Sequence, residues 1–312
     1  MATINRKYDS NNLNPRELQL FQFLWKWQVS SASLLVRHGC PDLPTGFVEG
    51  RLRKFNDVHV FRKESFDNQL RGFMMTSRGN RCVQEMTGDY NDVNERSYLF
   101  EELLLIQALA LGNSILFKEK PYEIFTMNEI LKTPAEDLPE ALRFQSQHIP
   151  GALIQRLGDN NQWKYWAIEC DLKKKTMIHF ERIFEFYKTQ KNITKIFWVV
   201  RDNEALAKLL KVAQNHLDFI DKINFILASD LIKKVWDAEV LTGPDTDRKI
   251  CEIFGSEYVS VTQSSEVSTF GHSPQDYIKD TLLGSTRIFQ QIQCPYKAKP
   301  QKAWGIHVRF KR

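Results

Sequence analysis

The 312-residue chain carries 43 Lys and Arg against 38 Asp and Glu, a net charge of +5, and 42% of its residues are hydrophobic. That length predicts two domains and that apolar content allows a sizeable core. Five cysteines (Cys40, Cys82, Cys170, Cys251 and Cys294), scattered and without a C-x-x-C pair, exclude a disulfide framework and a zinc site and fit a reducing cytoplasm.

The opening stretch MATINRKYDSNN lacks the apolar run of a signal peptide. The longest apolar run, Leu103 to Leu111, is too short to span a bilayer. A soluble cytoplasmic chain without a membrane partner is therefore expected. Charge is unevenly placed. Residues 1–87 carry 13 Lys and Arg against 8 Asp and Glu, while residues 88–312 carry 30 of each. Every charged residue after Asp280 is basic. A polyanionic partner fits both ends.

In chain order, Asn14-Pro15-Arg16-Glu17 is a helix start, with Asn as cap, Pro at the first helical position and Glu at the third. Leu18, Phe21, Leu24 and Trp25 follow at helical spacing. A second short helix is expected from Ser31 to His38, ended by Gly39. A third is expected from Thr45 to Phe55, with Val48, Leu52 and Phe55 inward and Arg51, Arg53 and Lys54 off that face. Gly46 and Gly50 weaken it by roughly 1 kcal/mol each. Val58 to Lys63 and Gly72 to Thr76 read as a strand pair, and MTSRGN opens a further helix to about Met86.

Three helices, a hairpin and a helix is the order of a winged helix-turn-helix, and MTSRGNR resembles the entry to the last helix of many bacterial winged-helix proteins. In that arrangement the third helix enters the major groove and the hairpin follows the phosphates. Arg51, Arg53 and Lys54 would contact DNA from the helix, with Arg62, Lys63 and Arg71 from the wing. The alternative is a winged helix used for protein contacts.

After a polar stretch to Glu95, a strongly apolar helix is expected from Ser97 to Leu111, ended by Gly112. An apolar surface this wide is buried on more than one side, so the helix either bridges two domains or forms a homodimer seam. Ile115 to Phe117 reads as a strand, Thr126 to Lys132 as a helix, and Thr133 to Leu142 as loop. Strands at Ala152 to Leu157 and Trp163 to Cys170 flank the turn GDNNQ. Thr176 caps a helix carrying Phe180, Phe184 and Tyr187. KIFWVVR is a continuous apolar strand of the kind covered on both faces. A helix from Glu204 to Ala213, a strand from Asn224 to Ala228 and a helix capped by Ser229 complete a mixed α/β sheet covered by helices.

This second half resembles the PD-(D/E)xK restriction-endonuclease-like superfamily, and more closely the replication-relaxation family of plasmids and mobile elements. The matching residues are Pro150, Ala152, Leu153 and Ile154, then Ala167, Ile168, Glu169, Asp171 and Lys175, and Tyr187 before KIFWVV. The resemblance implies a restriction-endonuclease-like core behind a winged helix, and double-stranded DNA as partner. It also implies a role in plasmid or mobile-element replication or transcription. In an active member, Glu169 and Asp171 would hold Mg²⁺ and Lys175, or its neighbours Lys173 and Lys174, would supply the cation. Residues i and i+2 of a strand share a face, which suits Glu169 and Asp171.

The Asp that should follow Pro150 is Gly151, which has no side chain to offer a metal. A degenerate, non-cleaving core is therefore expected, with no cofactor unless Mg²⁺ serves an active one. Glu101 or Glu102 is the candidate replacement acid. Lys173 and Lys174 are expected to touch phosphates, or else to form a solvated strand end. His148 and His179 lack metal-ligand spacing and read as structural. No phosphate-binding glycine loop, nucleophile elbow or small-molecule site is evident.

The expected organisation is a winged helix over 1–87, a linker helix over 88–112, an α/β domain over 113–241 and an irregular basic extension over 242–312. The tail from Cys294, with Tyr296, Trp304 and Phe310 among lysines, suits a nucleic-acid arm or an edge strand. Three functions follow: a DNA-binding regulator with a dead nuclease-like core, a Mg²⁺-dependent endonuclease, or an interaction module.

Overall fold

The computed structural model describes residues 14–66, 70–87, 100–116, 122–139, 142–143, 148–157, 162–173, 175–216, 220–234 and 237–254. The expected strand at Tyr258, the helix after Asp276 and the basic tail lie outside the described residues, as does Lys174.

Helix α1 (Pro15–Trp27) starts where the sequence places it. The Asn14 side chain accepts from the Glu17 N–H at 2.9 Å, and the Glu17 carboxylate accepts from the Asn14 N–H at 3.1 Å. This reciprocal cap satisfies two donors that an open helix end leaves bare. Strand β1 (Val29–Ser30) follows, then α2 (Ala32–Leu34), which continues as a π-helical turn to Gly39. Helix α3 (Thr45–Asp57) buries Val48, Leu52 and Phe55. Strands β2 (Phe61–Phe66) and β3 (Leu70–Met75) form an antiparallel hairpin, and α4 (Ser77–Thr87) closes the unit. Strand β1 was not expected from two residues of sequence. It pairs with β3, giving a three-stranded sheet in the order β1-β3-β2. The core beneath is aromatic: Phe21 meets Phe55 edge-on at 4.9 Å and Phe61 at 5.1 Å between centroids.

Helix α5 runs from Phe100 to Leu116. Gly112 does not end it, and the expected strand at Ile115 is its last turn. Burial of the helix outweighs the roughly 1 kcal/mol that an interior glycine costs. The second sheet follows: β4 (Tyr122–Thr126), β5 (Ala152–Leu157), β6 (Trp163–Asp171), β7 (Ile193–Val200) and β8 (Ile223–Leu227), in that spatial order. The first three strands pair antiparallel and the last three parallel. Helices α6 (Met127–Lys132), α7 (Met177–Thr189) and α8 (Asn203–Ala213) lie between strands of this sheet in the chain, and α9 (Ala228–Lys234) follows the last of them. Helix α9 starts directly from β8, so Ser229 lies inside it rather than capping it. The chain is thus mixed α/β with two sheets.

The β7 strand shows why KIFWVV is apolar throughout. Ile196, Trp198 and Val200 face a core built with Phe180, Phe184 and Leu209 of α7 and α8. Phe197 and Val199 face a second core that contains Leu104, Ile106 and Leu109 of α5. That second core also takes in Trp27, Val29 and Leu34. The expected linker helix is therefore shared interior. From Leu104 to Leu111 every side chain of α5 is buried within the chain, which leaves no apolar face there for the expected homodimer seam. Gly72 marks the tightness of this join: a Cβ there would lie 2.7 Å from the Ser30 carbonyl and 3.1 Å from the Phe100 ring.

Polar contacts pin the same seam. Lys26 Nζ donates to the Ile124 carbonyl at 2.9 Å and pairs with Glu129 at 3.0 Å, while Thr126 Oγ1 donates to the Lys26 carbonyl at 2.7 Å. Residues 237–254 are also ordered on the sheet, where an irregular extension was expected from 242. Buried Asp245 accepts from Lys195, from Asn224 at 2.9 Å and from Arg248 at 2.8 Å, and this fixes the segment across β7 and β8. Helix α10 (Ile250–Phe254) ends with Phe254 stacked on Phe197 at 4.6 Å.

Candidate functional sites

The basic residues expected to meet DNA divide by their surroundings. Arg51 is held rather than presented. Its guanidinium pairs with the buried Glu17 at 3.1 Å and lies over the Phe47 ring at 5.2 Å. This ties α3 to α1, and Arg51 is better read as a structural residue. Arg53 and Lys54 are exposed on the side away from the buried Val48, Leu52 and Phe55, and Arg53 has a 3.6 Å contact with Glu49 on its own helix. An exposed pair of this kind is weak and easily exchanged.

Gly46 and Gly50 lie on the same outer face, and a Cβ built at either meets nothing within 4 Å. On the hairpin, Arg62 and Lys63 are exposed, with Arg62 paired to Glu64 and touching the Met74 sulfur at 3.8 Å. The Lys63 N–H donates to Asn56 of α3 at 3.0 Å, which fixes the hairpin base against that helix. Arg71 is paired with Ser65 in the strand register, and its side chain lies outside the described residues.

The carboxylates of the second unit sit at the end of β6, where it runs parallel to β7. Glu169 and Asp171 face the α7 side, as strand alternation requires. Both are buried, at 5% and 3% exposure. Glu169 Oε1 accepts from the Tyr187 hydroxyl on α7 and from His148 Nε2 at 2.8 Å. A carboxylate only accepts, so His148 carries its hydrogen on Nε2. The His148 ring also packs edge-on against Phe186 and Tyr187. His148 was expected to be structural, and its partner here is a residue that the sequence assigned to metal.

Asp171 pairs with Lys175 Nζ, 3.3 Å from its Oδ1, as an i,i+4 contact. Apart from that ion pair, neither of its oxygens has a hydrogen-bond donor among the described residues. Burial pushes its carboxyl up to about 6 against the lowering effect of Lys175, and the negative charges of Glu102 and Glu169 add to the rise. Glu102 is itself occupied, accepting from the Leu172 N–H at 2.8 Å and joining the start of α5 to the end of β6. Lys173 is half-buried on the turn after the strand.

These residues do not fit the metal that the resemblance implies. Among the described residues, no group of three or more His, Cys, Asp or Glu side chains is arranged to hold an ion. The Glu169 oxygen nearest its neighbours is taken by Tyr187 and His148, and Gly151 contributes nothing. Mg²⁺ asks for near-octahedral oxygen coordination. A single desolvated carboxylate beside a lysine does not supply it. Sequence reasoning took His148 as structural without finding Glu169 as its partner, and took Arg51 for a DNA contact without finding Glu17; Tyr187 was visible only as part of the family pattern. No helix among the described residues is long and apolar enough to cross a membrane. Comparison of this chain with protein-family models, with curated proteins and with solved structures finds no match.

Proposed function

We propose that this protein binds double-stranded DNA through its first unit, acting as a winged helix, and that its α/β unit is a nuclease-like scaffold that does not cut. The observation that carries the reading is the outer face of α3. There Arg53 and Lys54 stand exposed beside Gly46 and Gly50, and Arg62 and Lys63 are exposed on the adjoining hairpin. Gly50, in the interior of this helix, costs roughly 1 kcal/mol, and a Cβ at either glycine would meet nothing within 4 Å, so no internal packing asks for them. A side chain-free strip between cations suits close approach to a groove wall. The four cations would neutralise phosphates and set register, with sequence read by contacts on the same helix.

The biological role that the resemblance implies, control of plasmid or mobile-element replication or transcription, rests on this DNA contact. Selecting bound sequences from a pool of random duplexes tests it. A recovered consensus supports a sequence-reading helix, and no enrichment over bulk duplex removes the proposal.

The endonuclease reading draws on Glu169, Asp171 and Lys175 at one strand end, and it is the lesser of the two because the ligand set is incomplete. Incubation with supercoiled plasmid and Mg²⁺ or Mn²⁺, beside a Glu169→Ala control, decides it. Nicking by the parent alone would reverse the order of the two readings.

A further inference from the structure

The outer side of α3 carries acids as well as cations. Glu49, Arg53 and Asp57 follow one another four residues apart, away from the buried Val48, Leu52 and Phe55. Arg53 and Asp57 are exposed and Glu49 is half-buried. The Arg53 guanidinium lies 3.6 Å from the Glu49 carboxylate, and the two side chains are 76% and 26% exposed. Gly46 precedes Glu49 by almost one turn and Gly50 adjoins it, both exposed and both facing open space where a Cβ would stand. The stripe of Glu49, Arg53 and Asp57 is thus net negative, and Lys54 on its flank brings it only to neutrality.

An acid turned toward phosphates costs affinity by repulsion. An acid turned toward the floor of the major groove meets base edges instead. A carboxylate accepts hydrogen bonds and cannot donate them. Guanine and thymine offer it no donor there. Adenine offers its N6 amino group but sets the N7 acceptor beside it, while cytosine offers the N4 amino group alone.

We infer that Glu49 is a base-selecting residue of the first unit, its carboxylate accepting from a cytosine amino group in the major groove. This deepens the winged-helix reading and rests on it. Gly46 and Gly50 let the α3 backbone approach closely enough for a side chain of this length to reach a base edge. Arg53 holds the carboxylate from the next turn, in the favourable order with the acid first. A carboxylate held in this way loses less side-chain freedom on meeting a base. A pair that served the helix alone would be indifferent to the base opposite it, and that difference is measurable.

Selection from random duplexes, run on the intact parent, on Glu49→Gln and on Glu49→Ala, tests this, with affinities for the recovered sites read by fluorescence anisotropy. The parent is expected to recover a consensus in which one cytosine, when replaced, lowers affinity about tenfold or more. Glu49→Gln is expected to change the preferred base at that position from cytosine to adenine, because an amide both accepts and donates and so matches adenine N6 and N7. Glu49→Ala is expected to leave the position unselected and to bind bulk duplex more tightly than the parent, an acid having been removed. Neither change touches the core, so both variants are expected to unfold at the urea midpoint of the parent.

A consensus that stays the same at every position in both variants overturns the inference and leaves the winged-helix reading standing. Affinity that falls uniformly across sequences does the same, since it makes Glu49 a support for Arg53 and nothing more. A position that responds to Glu49 but holds a base other than cytosine in the parent overturns the assignment as well. A parent that recovers no consensus removes the winged-helix reading itself, and this inference with it.

Discussion

Arg53 and Lys54 on α3 face solvent, whereas Glu169 and Asp171 on β6 face a packed interior. Both sets stand out in the sequence as candidates to meet DNA or its metal, and their surroundings separate them. An exposed cation keeps its long-range field and gives up little to meet a phosphate. A buried carboxylate has already lost its water and must be matched where it lies. Glu169 is matched by a tyrosine and a histidine, and Asp171 by a lysine. Charge on the outside thus stays in water, while charge on the inside is committed to the fold.

The largest effect that this contrast predicts is on stability at β6. Glu169→Ala should cost about 3 kcal/mol in urea unfolding, since it removes the buried carboxylate on which the Tyr187 hydroxyl and the His148 imidazole converge. A cost no larger than that of an exposed substitution would break the contrast.

Asp171 should show its commitment through pH. Its carboxyl lies at about 6 in the folded chain, above its ordinary value of 3.8, so the folded state keeps a proton that the unfolded state has released. Stability then falls as pH rises from about 4 through 6, by about 2–3 kcal/mol for this one group. Asp171→Asn should remove that portion of the slope and be the more stable protein at pH 7. Parallel pH profiles for parent and variant in the window from 4 to 7 would refute it.

Arg51→Ala sharpens the contrast within a single helix. It leaves Glu17 buried without its cation and should cost about 1 kcal/mol. Arg53→Ala and Lys54→Ala, two and three residues on, should each change stability by less than about 0.5 kcal/mol. Equal losses at 51 and 53 would mean that both arginines serve the core.

Local signals were the legible ones. The Asn14-to-Glu17 cap, the strand limits at Ala152 and Leu157 and the two-sided burial of KIFWVV all follow from residues within a few positions of one another. The helix at Leu103 to Leu111 was legible as deeply buried, but not how it would be covered. Trp27 and Val29 share its core from more than 70 residues away, and nothing in their neighbourhood says so.

The same limit applied to the candidate sites. Glu169 with Asp171 was visible as an i,i+2 pair on a strand. His148 lies 21 residues from Glu169 in a stretch without periodicity, and Arg51 lies 34 residues from Glu17. Long-range partners of that kind decide whether a charged side chain is free, and a single sequence does not carry them. Ile115 reads as strand for a related reason: a short apolar run after a glycine is ambiguous, and the backbone there continues α5.

The most direct test of the account is the salt dependence of duplex affinity, measured by fluorescence anisotropy for the parent and for Arg53→Ala combined with Lys54→Ala. The account predicts weaker binding by the variant at low salt, and a plot of log affinity against log salt that is shallower by roughly one for each phosphate the variant no longer neutralises. Identical affinity and identical slope in the two proteins would contradict it.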